Sequence, residues 1–165
     1  HMPGRYEHGY YAADLVSDII GRGKSSRLYK SLLKENPIFN SIGASVTSSL
    51  DPGLFLINGN LNPGVTLEEA DAAVESILEE MVKHGAFEQE VEKVKNQSEA
   101  TLAFSEVELL NRAMNLAFAA NGGDVNWANA DAENIRNLTA EDLHQAAKNI
   151  LRPENSSTLY YRTNE

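Results

Sequence analysis

The spacing of apolar residues along the first 61 positions predicts two helices followed by a β-hairpin. Apolar side chains recur at helical intervals over residues 7–20 and again over 25–35. Residues 38–49 instead carry them at alternate positions, and residues 54–61 have the composition of a second strand. The sequence DPG at 51–53 is a turn signal, so the two strands are predicted to pair in antiparallel fashion.

The remainder of the chain is mostly helical in pattern. A helix is predicted to begin with a capping box formed by Thr66 and Glu69, and a long helical stretch over 88–120 is predicted to bend near Phe104. A further helix is predicted over 125–136, followed by one that Thr139 and Asp142 cap. A final strand is predicted over 156–162. The predicted fold class is α+β, with an antiparallel sheet of hairpin plus C-terminal strand packed against several helices. Three strands are few for a stable sheet, so a further strand is expected before residue 1.

One short stretch, GRGKSSRLYK at 21–30, resembles a phosphate-binding loop. The motif G-x-x-x-x-G-K-[ST] requires a glycine five residues before Gly23, but that position is Asp18, whose negative charge would repel phosphate. The motif must also follow a strand, and here it follows a helical pattern. The sequence therefore predicts a joint between two helices, with Gly21 and Gly23 ending the first and Ser25 or Ser26 capping the second.

Composition narrows the function further. The chain has 165 residues, 14 Lys and Arg against 24 Asp and Glu, and a net charge of −10, which argues against general nucleic-acid binding. It has no cysteine, so disulfides and thiolate chemistry are excluded. No apolar run is long enough to span a membrane. His1-Met2 has the form of a cloning scar, and residues 3–165 are expected to be a single domain cut from a longer chain.

Candidate catalytic groups are scarce. The four histidines do not form H-x-x-x-H or H-x-x-E-H, and Gly85 interrupts the helical spacing between His84 and Glu88. No G-x-S-x-G elbow occurs, and carboxylate pairs such as Glu68-Glu69 fall on solvated helix faces. The sequence therefore predicts that this chain contains neither a catalytic apparatus nor a metal site.

Several segments nevertheless resemble zinc peptidases of the insulinase, pitrilysin and mitochondrial processing peptidase superfamily. The resemblance lies in DLVSDIIGRGKSSRLYKSLLKE, DPGLFLI, EEADAAVESILEEMVKHGAFEQEVEKVKNQ and NLTAEDLHQAAKNILRPENSSTLYY, which follow in the family's order and cover nearly the whole chain. Members are built from homologous α+β domains. This chain resembles the C-terminal type, which carries no metal and closes the peptide-binding chamber over a zinc-bearing domain.

The resemblance also implies where substrate contacts would lie. The C-terminal type usually carries an Arg and a Tyr, seven residues apart in a pattern like L-R-E-x-x-G-L-A-Y, that hold substrate and stabilise the oxyanion. Aligned through Leu32-Leu33-Lys34-Glu35 and Ser41, those positions are Leu33 and Asn40. Neither functional residue is present. Arg27 and Tyr29 lie too early and belong to the SSRLY helix start.

The leading hypothesis is that the chain comes from the zinc-bearing subunit of a two-chain zinc metalloendopeptidase. The resemblance implies Zn²⁺ in an upstream homologous domain, none bound by this fragment, a peptide substrate, and a homologous partner subunit that supplies Arg and Tyr. The isolated fragment is expected to be inactive. The alternative is a non-catalytic structural or binding subunit of the same fold, and a third interpretation is a free-standing binding module. The compartment is undetermined, with a bacterial periplasmic setting suggested by resemblance alone.

Overall fold

The computed structural model describes residues 1–162. The chain begins with two helical segments, continues into one β-hairpin, and is helical over most of its second half. In chain order the elements are α1 (Tyr10–Gly21), α2 (Arg27–Tyr29) continuing into a π-helix (Lys30–Glu35), β1 (Phe39–Val46), β2 (Phe55–Leu61), α3 (Leu67–His84), α4 (Glu88–Ser105), α5 (Leu109–Gly122), a 3₁₀ turn (Val125–Asn129), α6 (Asp131–Asn137), α7 (Ala140–Ile150) and a 3₁₀ turn (Pro153–Asn155). The predicted α+β class is confirmed.

Helix α1 is the centre of the core because its sequence is apolar on almost every side. Nine of its twelve residues are buried. It packs against β1, α7 and α4. Its last residue, Gly21, lies directly against β1, where a Cβ atom would overlap the backbone nitrogen of Ala44. The helix and the hairpin therefore approach each other at a distance that only glycine permits.

The hairpin has one apolar and one polar face because its side chains alternate. β1 and β2 pair antiparallel from Phe39↔Leu61 to Val46↔Phe55. The inner face contributes side chains that pack on the core, namely Ile42, Ala44, Val46, Phe55 and Ile57. The N-terminal segment reaches the same sheet, since Met2 forms an isolated antiparallel bridge with Gly53.

The predicted C-terminal strand is wrong. Residues 156–162 form no strand within the part of the chain that the structure describes, and the sheet there has two strands, β1 and β2. A strand needs a neighbouring backbone with which to exchange hydrogen bonds, and no described strand lies beside this segment. Leu159 and Tyr161 are accordingly 93% and 88% exposed. Tyr160 instead donates a hydrogen bond to Asp71 of α3, at 2.7 Å.

Two predicted helices are each divided in the structure. The stretch over 88–120 consists of α4 and α5, separated by an elbow at residues 106–108, and the stretch over 125–136 is a 3₁₀ turn followed by α6.

The joint between α1 and α2 is confirmed, with Gly23 at φ +79° and Ser26 at the N-cap of α2. The Ser26 hydroxyl donates to the carbonyl of Gly23 and does not cap the helix.

Candidate functional site

Leu33, the first predicted site residue, lies in the π-helix formed by Lys30–Glu35. A π-helix inserts an extra residue per turn and often marks a functional position, because it changes the direction in which side chains leave the helix. Leu33 is half-buried and packs against the core, while its neighbour Leu32 is buried. Leu33 therefore contributes apolar packing and offers no hydrogen-bond donor at this position.

Asn40, the second predicted site residue, lies at an irregularity in β1. The pairing register shifts between Phe39 and Ser41, so Asn40 has no partner in β2. A bulge of this kind bends the strand and redirects the unpaired side chain. Asn40 is exposed. Its amide can both donate and accept hydrogen bonds, although it reaches less far than a tyrosine hydroxyl.

The outer face of the hairpin, which begins beside Asn40, is polar but uncharged. Opposed pairs on this face are Ser41 with Asn60, Gly43 with Asn58 and Ser45 with Leu56. The Asn60 side-chain amide donates to the Ser41 hydroxyl at 2.9 Å. A shallow depression of about 540 Å³ on the hairpin is lined by Ser41, Ile42, Gly43, Ala44, Ser45, Asn58, Gly59 and Asn60. Since none of these side chains is ionisable, the surface can bind through hydrogen bonds and shape but cannot transfer protons.

The SSRLY segment has a structural role, as predicted. Arg27 forms a two-pronged ion pair with Glu90 of α4, through Nε to Oε1 at 3.0 Å and Nη2 to Oε2 at 2.7 Å. Its Nη2 also donates to the carbonyl of Gly85, and its guanidinium lies 5.5 Å from the ring of Phe87. Burial by itself would raise the pKa of Glu90, but the hydrogen bonds from Arg27 and from the Phe87 N–H outweigh it and lower that pKa. Arg27 thus fixes α2 to α4.

A second group of ionisable side chains lies around α1, away from the hairpin face. The Tyr11 hydroxyl donates to Asp131 at 2.5 Å, and Arg5 pairs with the same carboxylate at 2.6 Å. Burial, followed by the hydrogen bond to Asp131, raises the pKa of Tyr11 to about 12. The Arg5 guanidinium also stacks 4.9 Å from the ring centre of Tyr10. These contacts attach the N-terminal segment and α6 to α1.

Asp14 of α1 is an ionisable group whose charged form destabilises the fold. Burial, and then the nearby Asp18 carboxylate, raise its pKa to about 6 from 3.8. Between about pH 4 and 6 the folded protein therefore binds more protons than the unfolded chain, so ionising Asp14 costs stability as pH rises, and the cost is complete above pH 6. We expect Asp14→Asn to raise the free energy of unfolding by about 2 kcal/mol at pH 7.5.

The Asp14→Asn effect is checked by urea unfolding at pH 3.5 and 7.5. At pH 3.5 the variant should match the parent chain, because Asp14 is then largely neutral in both the folded and the unfolded state. The exposed Glu79→Gln variant, which removes one charge elsewhere, serves as the control. Loss of stability at pH 7.5 would show that the Asp14 carboxylate makes a favourable contact instead.

No group of three or more His, Asp or Glu side chains among residues 1–162 is placed to hold a metal ion. No helix within the same residues is both long enough and apolar enough to cross a membrane.

A second cavity of about 420 Å³ lies between the N-terminal segment and helices α6 and α7, with Glu7, His8 and Asp142 among its lining residues. The geometry of the described residues thus defines an α+β domain with a polar, non-ionisable face.

The chain belongs to the family described as peptidase M16 inactive domain, whose profile matches residues 1–98. This confirms the resemblance drawn from the sequence. The chain is a C-terminal-type, inactive domain of that peptidase family. The matched residues include α1, the SSRLY segment, the hairpin and α3, and so contain both Leu33 and Asn40.

Solved structures share the fold. The inactive peptidase domain of a candidate zinc protease from Bordetella parapertussis has a TM-score of 0.91 at 21% identity, covering 100% of this chain and 88% of that one. A candidate zinc protease from Bordetella pertussis Tohama I has a TM-score of 0.84 at 22% identity, covering 94% and 86%. A protease from Helicobacter pylori has a TM-score of 0.83 at 21% identity, covering 90% of this chain but 36% of that one. No curated protein matches the chain.

The structure places Leu33 in the π-helix, packed against the core, and Asn40 at the start of β1, where Ser41, Asn58 and Asn60 follow on the hairpin. Sequence reasoning did not single out these three residues. The signal was available in the NGN sequence at 58–60, because exposed asparagines at alternate strand positions point to one face.

Proposed function

We propose that this domain is the substrate-chamber half of a zinc metalloendopeptidase and that it contributes shape and hydrogen bonds rather than catalytic groups. The observation that supports the proposal is the family match over residues 1–98, joined to the two backbone irregularities at Leu33 and Asn40. Position 33 lies in a π-helix, and position 40 lies at a bulge next to the uncharged polar face of the hairpin; in this proposal they are the positions of the family's substrate-holding pair. An extended peptide presents unpaired N–H and C=O groups that such a face can satisfy.

In this proposal the domain is part of a longer chain that carries zinc in an upstream homologous domain. Zinc lowers the pKa of a bound water and supplies the nucleophile. The described residues of this domain would neither bind the metal nor transfer protons. They would orient the peptide through the side chains of Asn40, Ser41, Asn58 and Asn60.

Positions 33 and 40 hold neither Arg nor Tyr. We therefore propose further that a homologous partner subunit supplies these two residues. Leu33 cannot donate a hydrogen bond to a developing oxyanion, and Asn40 is shorter than tyrosine. A chain with zinc but without this pair would be inactive alone. The second candidate function is that of a non-catalytic structural subunit. Leu33 and Asn40 would favour it if the upstream domain also lacked zinc.

The isolated domain and the full-length protein test different parts of this proposal. We expect the domain alone to leave a quenched fluorogenic peptide intact. We expect the double substitution Leu33→Arg and Asn40→Tyr in the full-length protein to raise its peptide hydrolysis at least tenfold, because the missing donors would then be present in the same chain.

The matched control for that experiment is Asn40→Phe with Leu33→Arg, which has the ring but lacks the hydroxyl. In Leu33→Arg, the apolar stem of the new arginine can pack against the core where Leu33 did, while its charged end reaches solvent. Both variants should therefore fold. Equal activity of the wild-type, Tyr and Phe forms would show that positions 33 and 40 do not face the substrate.

A further inference from the structure

Strand β2 has one edge that faces away from β1. The Thr47 N–H donates to the Leu54 carbonyl at 3.0 Å, and the pairing with β1 continues in register to residue 60. In an antiparallel ladder every second residue directs its N–H and C=O toward the same neighbour. Phe55, Ile57 and Gly59, which alternate with Leu54, therefore direct theirs away from β1. Among residues 1–162 the sheet has two strands, so this edge is a template for a further extended backbone.

The N-terminal segment begins a ladder on this same edge. The Met2 N–H donates to the Gly53 carbonyl at 3.0 Å, and the Gly53 N–H donates to the Met2 carbonyl at 2.9 Å. The two bonds form a complete antiparallel pair, and the Met2 side chain is buried. In such a ladder the residue two positions before Met2 faces Phe55, and the residue four positions before it faces Ile57. A backbone that enters at His1 in extended form therefore runs along the free edge of β2.

The C-terminal segment, residues 156–162, leaves from the opposite side of His1. Within one trans peptide unit the C=O and the N–H point in opposite directions. Since the Met2 N–H points to β2, the His1 C=O points away from β2. That carbonyl accepts a hydrogen bond from the side-chain amide of Asn155 at 2.8 Å. His1 is therefore held between β2 and the residue from which the C-terminal segment starts.

The C-terminal segment and β2 run in the same direction from His1. Helix α3 follows β2 after a short turn, and the Tyr160 hydroxyl donates to Asp71 in the second turn of α3 at 2.7 Å. Both segments therefore lead from His1 toward the start of α3. Ser156 has extended backbone angles, φ −106° and ψ 153°, and the sequence SSTLYYR has the composition of a strand. An extended backbone between them would run antiparallel to each and could exchange hydrogen bonds with both.

We propose that β2 and the C-terminal segment receive one extended strand between them, formed by the residues that join position 1 to the upstream domain in the longer chain. Recognition uses backbone N–H and C=O groups, so it holds for whichever residues the longer chain carries at positions 1 and 2. The connection between the two domains is then a strand of this sheet and not a flexible tether. This inference rests on the proposal that the domain is part of a longer chain, but not on zinc or on peptide hydrolysis.

The inner face of the hairpin determines which side chains this strand requires. Directly paired residues project to the same side of a sheet, and every second residue shares a face. The residues two and four positions before Met2 therefore lie on the face of Phe55 and Ile57, which pack on the core. We expect apolar residues at both positions of the full-length sequence. Polar side chains at both would contradict the proposed pairing.

Amide hydrogen exchange, resolved by residue with NMR, tests the strand. The 165-residue chain is compared with the same chain extended N-terminally by about eight residues of the full-length sequence, enough for one strand. We expect the amides of Phe55, Ile57 and Gly59 to exchange at least about 100-fold more slowly in the extended chain. The amides of Leu56 and Asn58 point to β1, so they should be equally protected in both chains and serve as the internal control.

Proline in the extension tests the register. Two positions before Met2, proline has no N–H to donate to Phe55 and should remove the slow exchange, whereas alanine there should retain it. Slow exchange of the edge amides in the 165-residue chain itself would overturn the proposal and assign the edge to the C-terminal segment or to a second copy. Fast exchange in both chains would overturn it equally, and protection that tolerates the proline would overturn the register. None of these outcomes depends on zinc content or hydrolysis, which test the proposed function.

Discussion

Arg27→Met is expected to lower the free energy of unfolding by about 3 kcal/mol at pH 7, more than any surface substitution in this domain. Methionine retains the apolar stem of Arg27 but leaves the Glu90 carboxylate without its main partner. The Arg27 side chain is 11% exposed and that of Glu90 is 21%, so water cannot fully compensate. The Gly85 carbonyl also loses its hydrogen bond, and α2 loses its attachment to α4.

Urea unfolding of Arg27→Met at pH 7 and at low pH provides the measurement. The pKa of Glu90 is lowered in the folded state, so its ionised form stabilises the fold above the unfolded pKa, and that stabilisation is lost as pH falls through the lower folded value. The effect of Arg27→Met should therefore shrink in acid. Arg136→Met removes the exposed Arg136–Glu99 pair and should cost less than about 1 kcal/mol. Equal costs for both variants would refute the assigned role of Arg27.

Gly21→Ala is expected to destabilise the domain by about 3 kcal/mol, although alanine normally favours a helix. The added Cβ would overlap the backbone nitrogen of Ala44 and lie 2.5 Å from its Cβ. Neither atom belongs to a flexible side chain, so α1 and β1 would have to move apart and open the core. Thermal unfolding monitored by circular dichroism measures the effect.

Gly23→Ala is the matched control for Gly21→Ala. A Cβ at Gly23 meets nothing within 4 Å, but the residue has φ +79°, where alanine is strained. The expected cost is about 1 kcal/mol from backbone conformation alone. If Gly21→Ala were no more destabilising than Gly23→Ala, the close approach between α1 and the hairpin would not limit stability.

Local signals in the sequence were sufficient for the elements that depend on local interactions. The Thr139 capping box is present in full, with the Thr139 N–H donating to the Asp142 carboxylate. The hairpin over 38–61 was predicted because alternation and a turn signal lie within one short segment. The helix from Thr66 begins as expected, with the Thr66 hydroxyl accepting from Glu69 N–H.

Features that depend on distant contacts could not be predicted from the sequence. The ion pair between Arg27 and Glu90 joins residues 63 positions apart. The bulge at Asn40 and the π-helix around Leu33 depend on how these segments pack, for which composition offers no signal. The third strand was predicted wrongly because the sequence SSTLYYR at 156–162 describes the segment and not the partner that a strand requires. The site prediction at positions 33 and 40 rested on family resemblance alone.

We propose that this domain belongs to the zinc-bearing subunit of a two-chain peptidase. The most direct test is the zinc content of the full-length protein purified without chelator, with peptide hydrolysis measured on the same sample. We expect about one zinc per chain and no hydrolysis until a homologous partner is added. A protein without zinc would rule out a zinc-bearing subunit and support a structural one. Full hydrolysis by the zinc-loaded protein alone would rule out the two-chain arrangement.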